Sequence, residues 1–289
     1  MKNSRSVGDK IIIGVMLVLC FVTLYPVWYT VILSFNDSQD TMLGGIYWFP
    51  RKFTVESYRR VFVDKAIIKA FNVTVWRTVL GTGASVFFTA MVAFAFSKKH
   101  IFGRKVYLMI GTITMFFNGG IIPYFILLRN LGLYDTFLVY VIPGMFNFFN
   151  LIIFMSFFRE IPAGLEESAK LDGANDFLIF IRIILPLSMP ILATIALFNG
   201  VYHWNDYFSG VMYVNNPDLQ PIQTFLYRII ASASVTRSIV GMPASAAQQI
   251  NSQSVKLATM VVTTAPIICI YPFLQRYFVK GIMIGSIKG

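Results

Sequence analysis

The sequence has few charged residues, few cysteines and few histidines for its length. Charged side chains make up 13% of the 289 residues, which is too few to cover the surface of a soluble domain of this size. The two cysteines and two histidines, with no HExxH sequence, provide no ligand cluster for a metal ion. Glycine is nowhere followed by lysine, so the Walker A loop that cradles ATP phosphates is missing as well.

What the sequence has instead is a set of long apolar runs. Each run is about as long as a helix needs to cross a hydrocarbon core of roughly 30 Å. Because a membrane leaves no water for unpaired backbone groups, each run predicts a spanning helix, and the fold class is an all-α membrane protein with six transmembrane helices. The runs are residues 11–35, 78–97, 106–128, 136–158, 183–205 and 257–275.

Six crossings place both termini on the same side of the membrane. Lys2, Arg5 and Lys10 precede the first run and several basic residues lie in the tight loop 98–105, which favours the cytoplasm for that side. The first run is too long for a signal peptide and SFNDSQD follows it, so an uncleaved first helix is expected. The net charge of +11 is explained by contact with lipid headgroups and needs no nucleic-acid partner.

Two segments outside the runs have a distinct composition. Residues 57–71 alternate apolar and basic side chains, which predicts one helix lying at the membrane interface, although a solvated surface helix fits equally well. Residues 207–255 are rich in small polar residues and predict a long flexible loop on the external side. We therefore divide the chain into an N-terminal segment (residues 1–70), a main transmembrane domain (residues 71–278) and a C-terminal tail (residues 279–289).

A polar segment, EESAKLDGANDFLIFIRIILPLSMP, separates the fourth and fifth runs. Its first half predicts a short amphipathic helix over 163–172 with Glu166 and Lys170 paired at i,i+4. Gly173 is placed to end this helix in the left-handed conformation. Such a helix at the cytoplasmic surface is what a soluble partner could bind and move, and a simple connecting turn is the alternative.

The second half of the polar segment predicts a new helix that turns into the membrane. Asn175 is placed to cap that helix. Pro186 and Pro190 are expected to kink it near its cytoplasmic end.

The segment resembles the EAA motif of ABC-importer permeases. In that motif, EAA is followed by three residues, glycine, nine residues, isoleucine, one residue and Leu-Pro. Every spacing matches in this chain, and serine in place of the first alanine is the one departure. The matching residues are Glu167, Ser168, Ala169, Gly173, Ile183, Leu185 and Pro186.

Other stretches extend the resemblance over nearly the whole chain. FFREIPAGLEE, HWNDYF, FFNGGIIPYF and the ending YFVKGIMIGSIKG are similar to the carbohydrate branch of these permeases, and to the smaller of the two maltose-transporter permeases in particular. The resemblance implies a type I ABC importer permease of the bacterial cytoplasmic membrane, with residues 71–278 as its ABC transmembrane type-1 domain. Such a protein is a transport subunit and not an enzyme.

The resemblance also implies partner subunits, each with its own role in transport. A second permease subunit would complete the translocation path, and an external solute-binding protein would deliver an oligosaccharide. Two cytoplasmic ATPase subunits would use ATP and Mg²⁺, so that this chain binds no cofactor directly. The short helix would be the coupling helix that docks on one ATPase.

Two groups of residues follow as predicted sites. The ATPase-docking loop is predicted to consist of Leu165, Glu166, Glu167, Ser168, Ala169, Leu171, Asp172, Gly173 and Ala174. Sugars are bound by aromatic faces and by polar groups that replace water, which favours polar and aromatic residues of the third and fifth runs for the substrate path. These residues are Asn118, Asn199, Tyr202, Trp204 and Asn205.

Three alternatives stay open at the level of the sequence. The first is an ABC permease for another small solute, such as an amino acid or an ion. The second is a carrier that works without ATP, for which Asp206 would be the nearest acidic residue to the membrane interior. The third is a membrane-embedded glycan-modifying enzyme, which would need a cluster of catalytic carboxylates or metal ligands.

Overall fold

The structure is a computed structural model that describes residues 7–98, 101–117, 119–238 and 255–270. The chain divides into two units, Met1–Ile67 with Leu226–Ala265 and Ile68–Phe225 with Pro266–Gly289. Within the described residues, the regular elements are helices, apart from one isolated bridge between Asn36 and Phe53.

The helices follow one another along the chain with short connections. A five-residue π-helical turn lies between two of them, at Phe180–Ile184. Shorter 3₁₀ turns lie at Phe137–Tyr140 and Pro217–Leu219. The helices are α1 (Val7–Ser34), α2 (Ser38–Met42), α3 (Glu56–Val63), α4 (Lys65–Ser97), α5 (Arg104–Phe116), α6 (Ile121–Asn130), α7 (Phe148–Phe158), α8 (Ala163–Leu171), α9 (Asp176–Ile179), α10 (Leu185–Leu187), α11 (Met189–Asn205), α12 (Phe208–Tyr213), α13 (Ile222–Ser238) and α14 (Val255–Ile270).

Two of these helices, α1 and α4, are by themselves long and apolar enough to cross a membrane. Three further pairs pass the same test together but are sharply bent, by 118° between α5 and α6, by 79° between α7 and α8, and by 84° before α11. The shorter α14 is apolar too, and the rest of the sixth predicted run lies outside the described residues. The apolar runs therefore form helices, although most are broken rather than straight.

The third and fourth runs depart most from continuous helices. The third breaks before Gly120, whose φ of +88° is a conformation that glycine adopts without a steric penalty. The fourth starts as the 3₁₀ turn, runs irregularly past Pro143 and becomes helical only at α7. There the Asn147 side chain accepts a hydrogen bond from the Asn150 backbone NH, at 3.0 Å, so Asn147 begins this helix and is not inside it.

Two predictions outside the runs are wrong. The expected single helix over 57–71 is two helices, because Asp64 is extended (ψ 109°) between α3 and α4. The expected loop over 207–255 contains α12 and α13, while residues 239–254 lie outside the described residues. Apolar residues at helical spacing, Ile222 and Leu226 among them, are buried in the first part of α13.

The first unit contains a buried acidic residue in the segment that follows α1. The Asp40 carboxylate accepts a hydrogen bond from the Asn36 amide (3.1 Å) and pairs with Arg51 (3.0 Å). The Asn36 hydrogen bond and the Arg51 charge together lower the pKa of Asp40, against the effect of burial. This pair fixes α2 against the chain that follows it.

The second unit has two apolar cores. One joins the end of α4 to α7, α9 and α11 and includes Phe94, Phe154 and Phe180. The other lies around α6 and α12 and includes Leu128 and Tyr213. Each core supports one of the two candidate sites described next.

Candidate functional site

The short helix α8 ends in a complete Schellman motif. It spans Ala163–Leu171, as the sequence predicts to within one residue, and Gly173 has the left-handed φ of +83°. The Gly173 NH donates to the Lys170 carbonyl (3.0 Å) and the Ala174 NH donates to the Ala169 carbonyl (2.9 Å). The predicted glycine stop is confirmed, and it sets the angle at which the chain leaves the helix.

The helix after this turn is capped and kinked where the sequence predicts. The Asn175 side chain accepts from the Leu178 backbone NH at 2.8 Å, which begins α9. The 84° bend lies at Ser188, between Pro186 and Pro190. The EAA-like residues thus form a helix, a tight turn and a bent re-entry into the apolar region.

α8 has one open face and one face held by the protein. Leu165, Ser168 and Leu171 follow one another at helical spacing and are exposed, Leu171 by 90%. Ala169, four residues after Leu165, packs at the edge of this open face against the core that contains Phe94. Exposed apolar side chains on a short, well-defined helix are typical of a surface that binds another protein.

An ion pair attaches the held face to the end of α4. The Lys98 ammonium donates to the Glu166 carboxylate and lies 4.1 Å from the centre of the Phe94 ring. The expected pairing of Glu166 with Lys170 is wrong, because Lys170 pairs with Asp176 at 3.0 Å instead. Lys98 is a residue that the sequence analysis missed as a member of this site.

The structure brings all nine predicted docking residues into one compact segment. Its exposed members are Leu165, Glu167, Ser168, Leu171, Asp172 and Gly173, and its partly covered members are Glu166, Ala169 and Ala174. Their binding of an ATPase stays a prediction.

The residues predicted for the substrate path do not form one site. Asn199 and Asn205 each donate to a carbonyl of their own helix four residues earlier, at 3.1 and 2.9 Å. Trp204 is buried, and its ring meets Phe71 edge-on at 5.7 Å. Asn118 lies outside the described residues. Tyr202 is 64% exposed and does line a cavity.

That cavity is the second candidate site. It has a volume of about 430 Å³ and lies between α4, α6, α11, α12 and the irregular segment before α7. Tyrosines, small residues and a charged pair line it, and its main lining residues are Arg77, Gly120, Tyr124, Tyr140, Gly144, Tyr202, His203, Asp206 and Tyr213.

A buried ion pair forms one wall of this cavity. The Arg77 guanidinium bonds the Asp206 carboxylate at 2.5 Å and the Asp206 backbone oxygen at 3.0 Å, and the two side chains are 1% and 9% exposed. The guanidinium also lies 4.4 Å from the centre of the Tyr140 ring. The sequence analysis missed Arg77 because this residue lies just before the uncharged run 78–97 and was not counted as part of it. A lone charged residue next to so long an apolar run was the signal that could have identified it.

Asp206 is a structural residue in this arrangement. Burial by itself raises the pKa of Asp206, but the Arg77 charge and the hydrogen bond from the Ser209 NH (3.1 Å) outweigh that effect. The pKa therefore lies below its ordinary value, and the carboxylate is held ionised. A proton relay needs a group that changes its charge, so this geometry counts against the carrier role considered for Asp206.

Comparison with known proteins gives one consistent match. Residues 85–284 match the family model described as a binding-protein-dependent transport system inner membrane component. The chain is 37% identical, over 97% of its length and 98% of the relative's, to the polygalacturonan/rhamnogalacturonan transport system permease protein YtcP of Bacillus subtilis. It is 38% identical to the protein LplC of the same organism, over 93% of this chain and 90% of LplC.

A solved structure shares both sequence and fold with this chain. It is a chain of a bacterial ABC transporter involved in the import of the acidic polysaccharide alginate, with a TM-score of 0.85 and 31% identity. The match covers 96% of this chain and 100% of that one. The predicted type I permease fold is confirmed: the chain belongs to the binding-protein-dependent transport system inner membrane components, as a membrane-embedded ABC permease subunit and not an enzyme.

Proposed function

We propose that this chain is one of two permease subunits in an importer of oligosaccharides. An external solute-binding protein delivers the glycan, and two cytoplasmic ATPase subunits supply the energy. The observation that carries the proposal is α8, which offers an open apolar face on one side and is fastened to two other helices on the other. The names of the relatives and of the alginate importer support a glycan as the cargo.

The attachments of α8 allow a force on it to reach the membrane helices. Glu166 ties it to the end of α4 through Lys98, and Lys170 ties it to the start of α9 through Asp176. The Gly173 turn makes the connection to α9 short and rigid. Closure of the ATPases around ATP and Mg²⁺ would move α8, and these contacts would transmit the movement to the helices that line the path.

The proposed topology follows from the same argument. Docking on a cytoplasmic ATPase requires α8 to be on the cytoplasmic side, which puts both termini there and the segment after α11 outside. The cavity beside Arg77 then lies toward the external side, where a binding protein would release its glycan.

Copurification tests the docking surface. A tagged chain expressed in its own bacterium should bring down an ATPase whose activity rises when glycan-loaded binding protein is added. Leu171→Asp should reduce the recovered ATPase several-fold, because it puts a charge on the open apolar face of α8. Phe102→Asp is the matched control, since Phe102 is 96% exposed in another predicted cytoplasmic loop.

Two results would contradict the proposal. One is a purified chain that carries no ATPase and still transports the glycan in vesicles. The other is an equal loss of ATPase in Leu171→Asp and Phe102→Asp, which would show that any new charge at the cytoplasmic surface has the same effect.

A further inference from the structure

We propose that the cavity beside the Arg77–Asp206 pair is a glycan subsite built within this subunit alone. It would hold one sugar ring against the exposed rings of Tyr202 and Tyr124. The inference rests on the proposed function, because it assumes that the cargo is a glycan.

The size and lining of the cavity suit a single sugar ring. Its volume of about 430 Å³ lies within the roughly 300–1,000 Å³ of typical small-molecule sites. Among the described residues, those that line it all belong to the second unit. Its walls combine aromatic surface with a few polar groups, which is the combination that sugar binding requires.

The tyrosines fall into two classes. Tyr140 and Tyr213 are 3% and 5% exposed and form the wall; Arg77 covers the face of Tyr140, and Tyr213 packs edge-on against Tyr124 at 5.7 Å. Tyr202 and Tyr124 are 64% and 38% exposed. These two rings are available to pack against the apolar C–H face of a sugar.

Two buried polar atoms at the cavity have no hydrogen-bond partner among the residues that the structure describes. They are Nε of Arg77 and Nδ1 of His203, on side chains that are 1% and 3% exposed. Buried polar atoms are nearly always paired, with protein, water or a ligand. Both atoms are sealed from solvent, so they lie behind the cavity wall, and contact with the sugar falls to the exposed tyrosine rings.

The glycine packing around His203 holds its ring in place. A Cβ on Gly81 would lie 2.6 Å from the imidazole, and one on Gly144 would lie 3.6 Å from it. The ring is therefore confined between α4 and the segment before α7. This packing fixes the shape of the cavity wall beside Tyr202.

The charges indicate which portion of a sugar the cavity recognises. Arg77 is already neutralised by Asp206 at 2.5 Å, so the wall carries a matched pair and little net charge. A ligand carboxylate would have to compete with Asp206 for the guanidinium and would lie close to a like charge. The subsite is thus built for hydroxyl groups, and any acidic groups of a glycan would be held elsewhere.

Transport kinetics test the stacking residue. The complete importer, reconstituted in vesicles with its binding protein and ATPases, is supplied with short oligosaccharides of alginate, polygalacturonan and rhamnogalacturonan. Tyr202→Ala should raise KM about threefold to tenfold, the range expected for the loss of one aromatic packing contact. Tyr202→Phe should stay near wild type because it keeps the ring. Tyr107→Ala, which removes a similarly exposed tyrosine that does not line the cavity, should have no effect.

A protection experiment reports binding directly. In a chain with Cys20→Ser and Cys269→Ser, Tyr202→Cys should be labelled by a maleimide, and transported oligosaccharide should slow that labelling, whereas Tyr107→Cys should be labelled at the same rate with and without it. An unchanged KM in Tyr202→Ala together with no protection at Tyr202→Cys would overturn the subsite and leave the proposed function intact. Failure of the wild-type importer to take up any of these glycans would overturn both.

Discussion

Gly81 faces the imidazole ring of His203 at a distance that leaves no room for a side chain. A Cβ added there would lie 2.6 Å from both Cε1 and Nε2, and the ring is itself confined on the other side. Gly81→Ala should therefore lower the free energy of unfolding by about 1–3 kcal/mol, the usual cost of overpacking. Thermal unfolding in detergent measures the change. Gly83→Ala, on the same helix with open space around its Cβ, is the control, and equal melting temperatures for the two variants would refute the packing argument.

The Arg77–Asp206 pair gives a second prediction for single residues. Arg77→Met leaves the Asp206 carboxylate buried without its cation, and breaking a buried pair in this way costs about 3–5 kcal/mol. The double variant Arg77→Met with Asp206→Leu removes both charges and should recover most of that loss. The measurement is the yield of monodisperse protein on size exclusion for the wild type, Arg77→Met and the double variant. A double variant that is less stable than Arg77→Met would show that the Asp206 side chain stabilises the fold by more than neutralising the Arg77 charge.

At the scale of helices, the first prediction concerns the turn that ends α8. Gly173 has open space where its Cβ would be, so Gly173→Ala acts through backbone strain, which costs about 1–2 kcal/mol for a left-handed residue. We expect this strain to misplace α8 relative to α9 and to reduce ATPase stimulation by loaded binding protein. Gly164→Ala, in the same helix and equally open, should leave stimulation unchanged. Full stimulation in Gly173→Ala would argue against a rigid turn.

The contact between α8 and α4 can be tested by exchanging its charges. Lys98→Glu and Glu166→Lys each place like charges together at a partly buried contact and should uncouple ATP hydrolysis from glycan uptake. The double exchange restores the attraction and should recover coupling. The Lys98 and Glu166 side chains are 17% and 22% exposed, so we expect loss of their attraction to cost about 1 kcal/mol. Each single exchange should therefore lower the ratio of glycan uptake to ATP hydrolysis roughly fivefold. If the double exchange behaves as the worse single variant does, charge pairing is not how the two helices are joined.

Local signals explain which elements the sequence could predict. The end of α8 at Gly173 and the cap at Asn175 depend on residues within a few positions of each other, and both predictions are confirmed. The Lys98–Glu166 and Arg77–Asp206 pairs join residues 68 and 129 positions apart, which no local pattern reveals. The cavity is likewise assembled from four helices and an irregular segment that are far apart in the sequence. The sequence could therefore suggest only the amides of one run, the fifth, as a substrate path.

At the scale of the whole molecule, α1 is a helix that is long and apolar enough to cross a membrane. In the part of the chain that the structure describes, no residue in the apolar window of Gly8–Ser34 is buried, and apolar side chains such as Leu17 and Leu24 are 66% and 64% exposed. An apolar helix that is open on all sides is stable only in lipid or against another protein. α1 thus fits a helix that lies in lipid, as expected of a membrane-embedded subunit.

The topology gives a prediction for the entire chain. In a background with Cys20→Ser and Cys269→Ser, single cysteines at Lys170 and at Asp218 mark the two proposed sides of the membrane, and both side chains are exposed. A membrane-impermeant maleimide should label Asp218→Cys in intact cells but should reach Lys170→Cys only after the membrane is opened. In the proposed topology, α11 with its bent approach is the one crossing between the two positions and places them on opposite sides. Labelling of Lys170→Cys from outside would put α8 beyond the reach of any cytoplasmic ATPase and would remove the mechanical basis of the proposed function.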